Sequence, residues 1–125
     1  MKDNLIKITS FNNKINSYLP FHLEHNYIYR SAGLDKHILK RHPDCLEYLQ
    51  YLDYIISHPD YIGINPNENG TSFELVKVFD ENIQIGIKLD VKNDYLYVAT
   101  LHSITDGKLQ HGIKNGRLKK FDKNE

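Results

Sequence analysis

Tryptophan is absent from this sequence, and cysteine and methionine occur once each. The single cysteine, Cys45, excludes an intrachain disulfide and a cysteine-rich zinc ribbon, and it leaves a reducing or an indifferent compartment equally open. No apolar run approaches the ~18 residues that a membrane span needs, and the opening Met1-Lys-Asp-Asn-Leu-Ile-Lys7 has no apolar region of signal-peptide type. The expectation is a cytoplasmic protein with no membrane partner. An excess of charge is missing too: sixteen basic side chains balance sixteen acidic ones, so attraction to nucleic acid must come from a local cluster. Absent as well are a glycine-rich phosphate loop, a G-x-S-x-G elbow and a paired-carboxylate motif, which removes the commonest nucleotide-binding and serine-hydrolase readings.

What is present is ordinary globular material. Hydrophobic residues make up 40% and charged residues 26%, with nine Tyr and five Phe as the aromatic mass, so disorder is excluded away from the ends. A chain of 125 residues makes one domain, 1–125, and a domain near this size buries roughly two-thirds of its unfolded surface.

Hydrophobic periodicity predicts the order of elements. Residues 4–9 alternate as a first strand, and Tyr27-Ile-Tyr29 can form a short second one. Ser31 is a suitable N-cap for a helix over 32–41, in which Leu34 and Ile38 share one face. Pro43 drives His42 out of the α region, and as a first-turn residue it can start a second helix running to about His58. In that helix Cys45, Leu49, Leu52 and Ile56 form the apolar stripe, which makes Cys45 a core thiol rather than a nucleophile.

Alternation then takes over. Strands are expected at Tyr61–Ile64, Phe73–Phe79, Ile83–Val91 and Tyr95–His102, joined by turns at 65–70, 80–82 and 92–94. In the last strand Leu96, Val98, Thr100 and His102 fall on one face by plain alternation. Beyond Thr105, three glycines and many lysines read as a basic, weakly structured tail, about 105–125. The fold class that follows is α+β, with N-terminal helices packed on one face of a roughly four-stranded antiparallel sheet.

Chemistry concentrates at the end of the first helix. His37, Lys40 and Arg41 stand three and four residues apart and share one edge, and His42 follows at the break. An imidazole moves protons near neutral pH, and the ammonium and guanidinium can neutralise a phosphorane-like transition state. Such a run is also what the negative end of a helix dipole favours, so alone it describes a charged helix end. Arg30 adds a cation ahead of the helix, beside tyrosines able to stack on bases. Thr100 and His102 place two polar groups on an otherwise apolar strand, where polar side chains need partners. His22 and His25 flank Glu24 at a metal-like spacing without a third ligand, so no metal and no cofactor is assigned.

Taken together, Tyr29-Arg30-Ser31, His37-Ile-Leu-Lys40-Arg41-His42-Pro43, His58-Pro59-Asp60 and Tyr97-Val-Ala-Thr100 resemble the phage-associated group of the barnase, EndoU, colicin and RelE-like nuclease superfamily. The resemblance spans about 27–102. It implies metal-independent endoribonuclease activity, with the 2′-hydroxyl attacking to leave a 2′,3′-cyclic phosphate, in a toxin or a phage or mobile-element effector. It also implies RNA as partner, tRNA among the candidates, and an immunity protein or antitoxin. On this reading His37, Lys40, His42 and Thr100 are catalytic, while Arg30, Arg41 and His102 bind the phosphate. The alternative is a non-catalytic RNA- or protein-binding module of the same fold.

Overall fold

The computed structural model describes residues 5–122; the first four residues of the charged opening and the last three of the basic tail lie outside them. Seven strands form one sheet: β1 Leu5–Ser10, β2 Tyr27–Ser31, β3 Tyr61–Gly63, β4 Ser72–Val78, β5 Asn82–Asp90, β6 Tyr95–Ile104 and β7 Leu118–Lys120. Their spatial order is β1-β2-β6-β5-β4-β3-β7, with β2 parallel to β6 and the other pairs antiparallel. The expected four-stranded antiparallel sheet behind N-terminal helices is therefore wrong. The sheet is mixed and nearly twice as wide, and two strands precede the first α-helix. The strands that widen it are short, and in β7 only Leu118 is apolar, too little for alternation to register.

The helices α1 Leu34–Arg41, α2 Leu52–Ser57 and α3 Asp106–Lys114 are distributed along the chain. Ser31 does not cap α1: it closes β2, its hydroxyl accepts the Gly33 N–H at 2.8 Å, and Gly33 occupies the cap position without a side-chain bond. At the other end His42 stands outside the helix at φ −142°, as Pro43 requires, and its N–H donates to the Ile38 carbonyl at 2.6 Å. The expected second helix is mostly a 3₁₀ segment, Pro43–Tyr51, that passes into α2. Cys45 and Tyr48 are its buried residues, and their spacing of three matches a helix with three residues per turn.

The tail is ordered. Thr105 caps α3, its hydroxyl accepting the Lys108 N–H at 3.1 Å, and Leu109 and Leu118 pack with Val76 in a small second core. The main core lies on the opposite sheet face, where Leu34, Ile38, Cys45 and Ile55 meet Phe73, Leu75, Ile83, Ile85, Ile87 and Leu101.

One irregularity in β6 decides which residues face which core. Ile87 pairs with Val98 but Gly86 pairs with Thr100, so Ala99 is an extra residue, a β-bulge. Cross-strand partners share a face. Leu96, Val98, Leu101 and Ser103 thus lie opposite Leu89, Ile87, Ile85 and Ile83 on the core side, while Tyr97, Thr100, His102 and Ile104 lie opposite Lys88, Gly86, Gln84 and Asn82 on the other. Plain alternation, which groups Thr100 and His102 with Leu96 and Val98, fails at this bulge.

Candidate active site

The face away from the main core is covered by α3 only at one end. Along its floor the cross-strand rows are Gln84 and His102 beside Val76, at the end that α3 covers, then Gly86 and Thr100 beside Glu74, then Lys88 and Tyr97 beside Ser72. Two recesses open on this floor. One, about 240 Å³, is lined by Ser72, Glu74, Lys88, Thr100 and His102 among others; the second, about 350 Å³, runs under α3 and is lined by Gln84, His102, Lys108, His111 and Arg117. His102 and Gln84 belong to both.

His42 reaches this site from the joint between α1 and the 3₁₀ segment. β2 covers the flank of β6 only through Leu96, Tyr97 and Val98, which leaves the stretch beyond Thr100 unpaired on that side. There the two imidazoles meet, with ring centroids 5.4 Å apart and planes inclined by 31°. Burial holds the His102 pKa below the usual histidine value, and the charges of His42 and Lys108 lower it further. A histidine depressed in this way is neutral at pH 7 and able to accept a proton.

Thr100 stands in a space kept open by glycine. A Cβ at Gly86 would lie 2.7 Å from the Thr100 hydroxyl, so no other residue leaves that hydroxyl where it is. The cations of the floor are held by carboxylates: Lys88 by Glu68, and Arg117 Nη1 by Glu74 Oε1 at 2.6 Å. The hydrogen bond to Glu68 raises the Lys88 pKa, so this ammonium stays charged.

Of the residues singled out in the sequence, His102 and Thr100 line one recess together, and His42, which lines neither recess, meets the His102 ring. His37, Lys40 and Arg41 are exposed on α1, and none of them lines either recess. Arg30 is half-buried and donates to the Ser31 carbonyl at 3.5 Å. The His58-Pro59-Asp60 run is architectural: His58 stacks on Tyr54 at 4.8 Å, and Asp60 accepts the Val78 N–H at 2.8 Å and pairs with Lys77. His22 pairs with Glu24 and His25 with Asp94, so the two histidines do not converge. Cys45 is buried, and burial raises its thiol pKa. Another hollow, about 670 Å³, lies elsewhere, between Ser17–Pro20 and Ile62–Ile64, and among the described residues no histidine or carboxylate lines it.

Gln84, Gly86, Lys88, Lys108 and His111 were not legible as site residues. The strict alternation of β5 shows that Gln84, Gly86 and Lys88 face away from the core, but nothing in it shows that His102 and Thr100 stand beside them.

Two imidazoles in contact, a threonine hydroxyl and nearby cations are groups that acid–base chemistry at phosphorus can use, and the class of the protein is a nuclease. The chain belongs to the family described as phage-Barnase-EndoU-ColicinE5/D-RelE like nuclease 3, whose model matches residues 6–111. No curated protein and no solved structure matches it. Among the described residues no helix is long and apolar enough to cross a membrane.

Proposed function

We propose that this nuclease is an endoribonuclease that uses the His42–His102 pair as base and acid. His102 takes the proton of the RNA 2′-hydroxyl as that oxygen bonds to phosphorus. The bond from phosphorus to the 5′-oxygen breaks, and His42 donates the proton that the leaving oxygen needs. The products are a 2′,3′-cyclic phosphate and a 5′-hydroxyl. Thr100 donates its hydroxyl hydrogen to a nonbridging oxygen, and Lys108, whose charge is felt at His102, supplies positive potential beside it. Because the two imidazoles provide both proton transfers, no step needs a metal.

The approach of the two rings, 5.4 Å between centroids, carries this reading. The depressed His102 supports it, because an imidazole held neutral is ready to accept a proton as base. The exposed cations of α1 then belong to the approach path of the RNA backbone rather than to the reacting centre. A toxin or mobile-element effector is part of the proposal, in keeping with the phage association in the family's description, and tRNA as substrate and an inhibitory partner are proposed with it.

The test is incubation of purified protein with RNA in EDTA, followed by analysis of the ends. Cyclic phosphate termini, and no cutting of a strand whose 2′-hydroxyls are replaced by hydrogen, are expected. Inert protein, or cleavage of the deoxy strand, would overturn the reading. RNA binding that survives His42→Ala and His102→Ala in a protein that never cuts would select the non-catalytic module.

A further inference from the structure

Two amides lie buried on the groove side of β5, and their situations differ. Asn82, 6% exposed, is satisfied: its Nδ2 donates to the Asp106 carboxylate at 2.7 Å and to the Ile104 carbonyl at 3.3 Å. Gln84, the next residue on that face, is 7% exposed, and its Oε1 has no hydrogen-bond partner among the described residues. A buried amide without partners costs stability, and such groups in folded proteins are seldom left so. Gln84 is also the residue, with His102, at which the two recesses join.

We infer that Gln84 reads one nucleobase, which enters the recess beneath α3 while the adjoining phosphate sits between His42, His102 and Thr100. The inference rests on the ribonuclease reading above and adds to it a specificity residue. A primary amide presents a donor and an acceptor side by side, the pattern that pairs with the edge of a base. The recess of about 350 Å³ suits a single unstacked base. The His111 ring on its wall offers a stacking surface, and Lys108 and Arg117 lie where the flanking backbone would run. One side of His102 thus serves the base and the other the reacting phosphate.

Gln84→Met tests this, because it keeps the shape and removes both hydrogen-bonding atoms. If no protein group depends on the amide, the variant melts at or above the wild-type temperature. Cut-site sequencing on a random RNA pool is expected to show wild type favouring one base beside the cut by roughly tenfold to a hundredfold, and Gln84→Met losing that preference while still cutting, more slowly. Unbiased cutting by wild type, or the same bias in the variant, overturns the inference and leaves the ribonuclease reading intact. If wild type cuts no RNA, NMR titration with the four nucleoside 3′-monophosphates decides separately. Shifts of the Gln84 side-chain amide with one base over the others support the inference, and their absence overturns it.

Discussion

Gly86 and Thr100 face each other across β5 and β6 so closely that a single added carbon at Gly86 would stand 2.7 Å from the threonine hydroxyl. Threonine is stiff about its first side-chain torsion, so it can yield only by changing rotamer. Gly86→Ala is therefore expected to turn the hydroxyl out of the groove. Cleavage falls by tenfold or more, the cost of a lost transition-state donor being about 10²-fold or greater. The fold survives, as a melting temperature close to wild type would show. Unchanged cleavage would remove Thr100 from the site.

His102 should titrate below the ordinary histidine value of 6.5, because burial and the charges of His42 and Lys108 all oppose its protonation. Its ring signals, followed by NMR against pH, are expected to move to a higher midpoint in His42→Ala and in Lys108→Ala. The sign for stability follows: between the folded and unfolded midpoints the unfolded chain binds a proton that the native chain refuses. The contribution from His102 is therefore intact above about 6.5, and stability declines as the pH drops below it. A His102 midpoint at or above 6.5 would contradict this arrangement.

Replacing either member of the pair, His42→Ala or His102→Ala, should lower cleavage by about 10²–10⁴-fold, the usual contribution of a positioned acid or base. The double variant should fall little further, since the two act in one step. Losses that multiply would mean that the residues act independently.

The α1 cations are expected to act on binding. Lys40→Ala and Arg41→Ala should leave the melting temperature nearly unchanged, surface substitutions being usually within about 0.5 kcal/mol. Each should weaken RNA binding and reduce the slope of log affinity against log salt by about 0.7 per lost phosphate contact. A collapse of cleavage with binding unaltered would return them to the reacting centre. His37→Ala should change neither quantity.

Ile38 is fully buried on the same helix that ends at His42. Ile38→Ala should cost about 2–5 kcal/mol in denaturant unfolding and loosen the joint that holds the imidazole. Cleavage is then expected to fall even where the protein remains folded. A cost below 1 kcal/mol would show that this helix is weakly docked.

The end of α1 at His42 was legible because proline chemistry is local, and β4, β5 and most of β6 were legible because alternation over seven or more residues is a strong signal. The parallel seating of β2 against β6 was not, since pairing partners distant in sequence leave no mark on a single chain. Nor was the order of the tail, where α3 is carried by Leu109 and a threonine cap amid lysines and glycines. At the site, His42, Thr100 and His102 stood out by residue type. Where His37, Lys40 and Arg41 stand relative to these residues depends on side-chain direction around α1, which spacing alone does not give. Gln84 was invisible because an amide on the polar side of a strand looks solvated until the neighbouring helix is in place.

The bulge at Ala99 makes β6 two strands spliced in phase opposition. Upstream of the splice the even-numbered residues serve the core, and downstream the odd-numbered ones do. A straight ladder through the same residues would carry Thr100 and His102 into the hydrocarbon interior and push Leu101 out, so the hydrophobic effect itself selects the kinked form. A chain lacking Ala99 would keep both halves correctly faced and lose only the bend. Whether catalysis depends on the curvature of the strand, or merely on which way its side chains look, is thus a question that one deleted residue can separate.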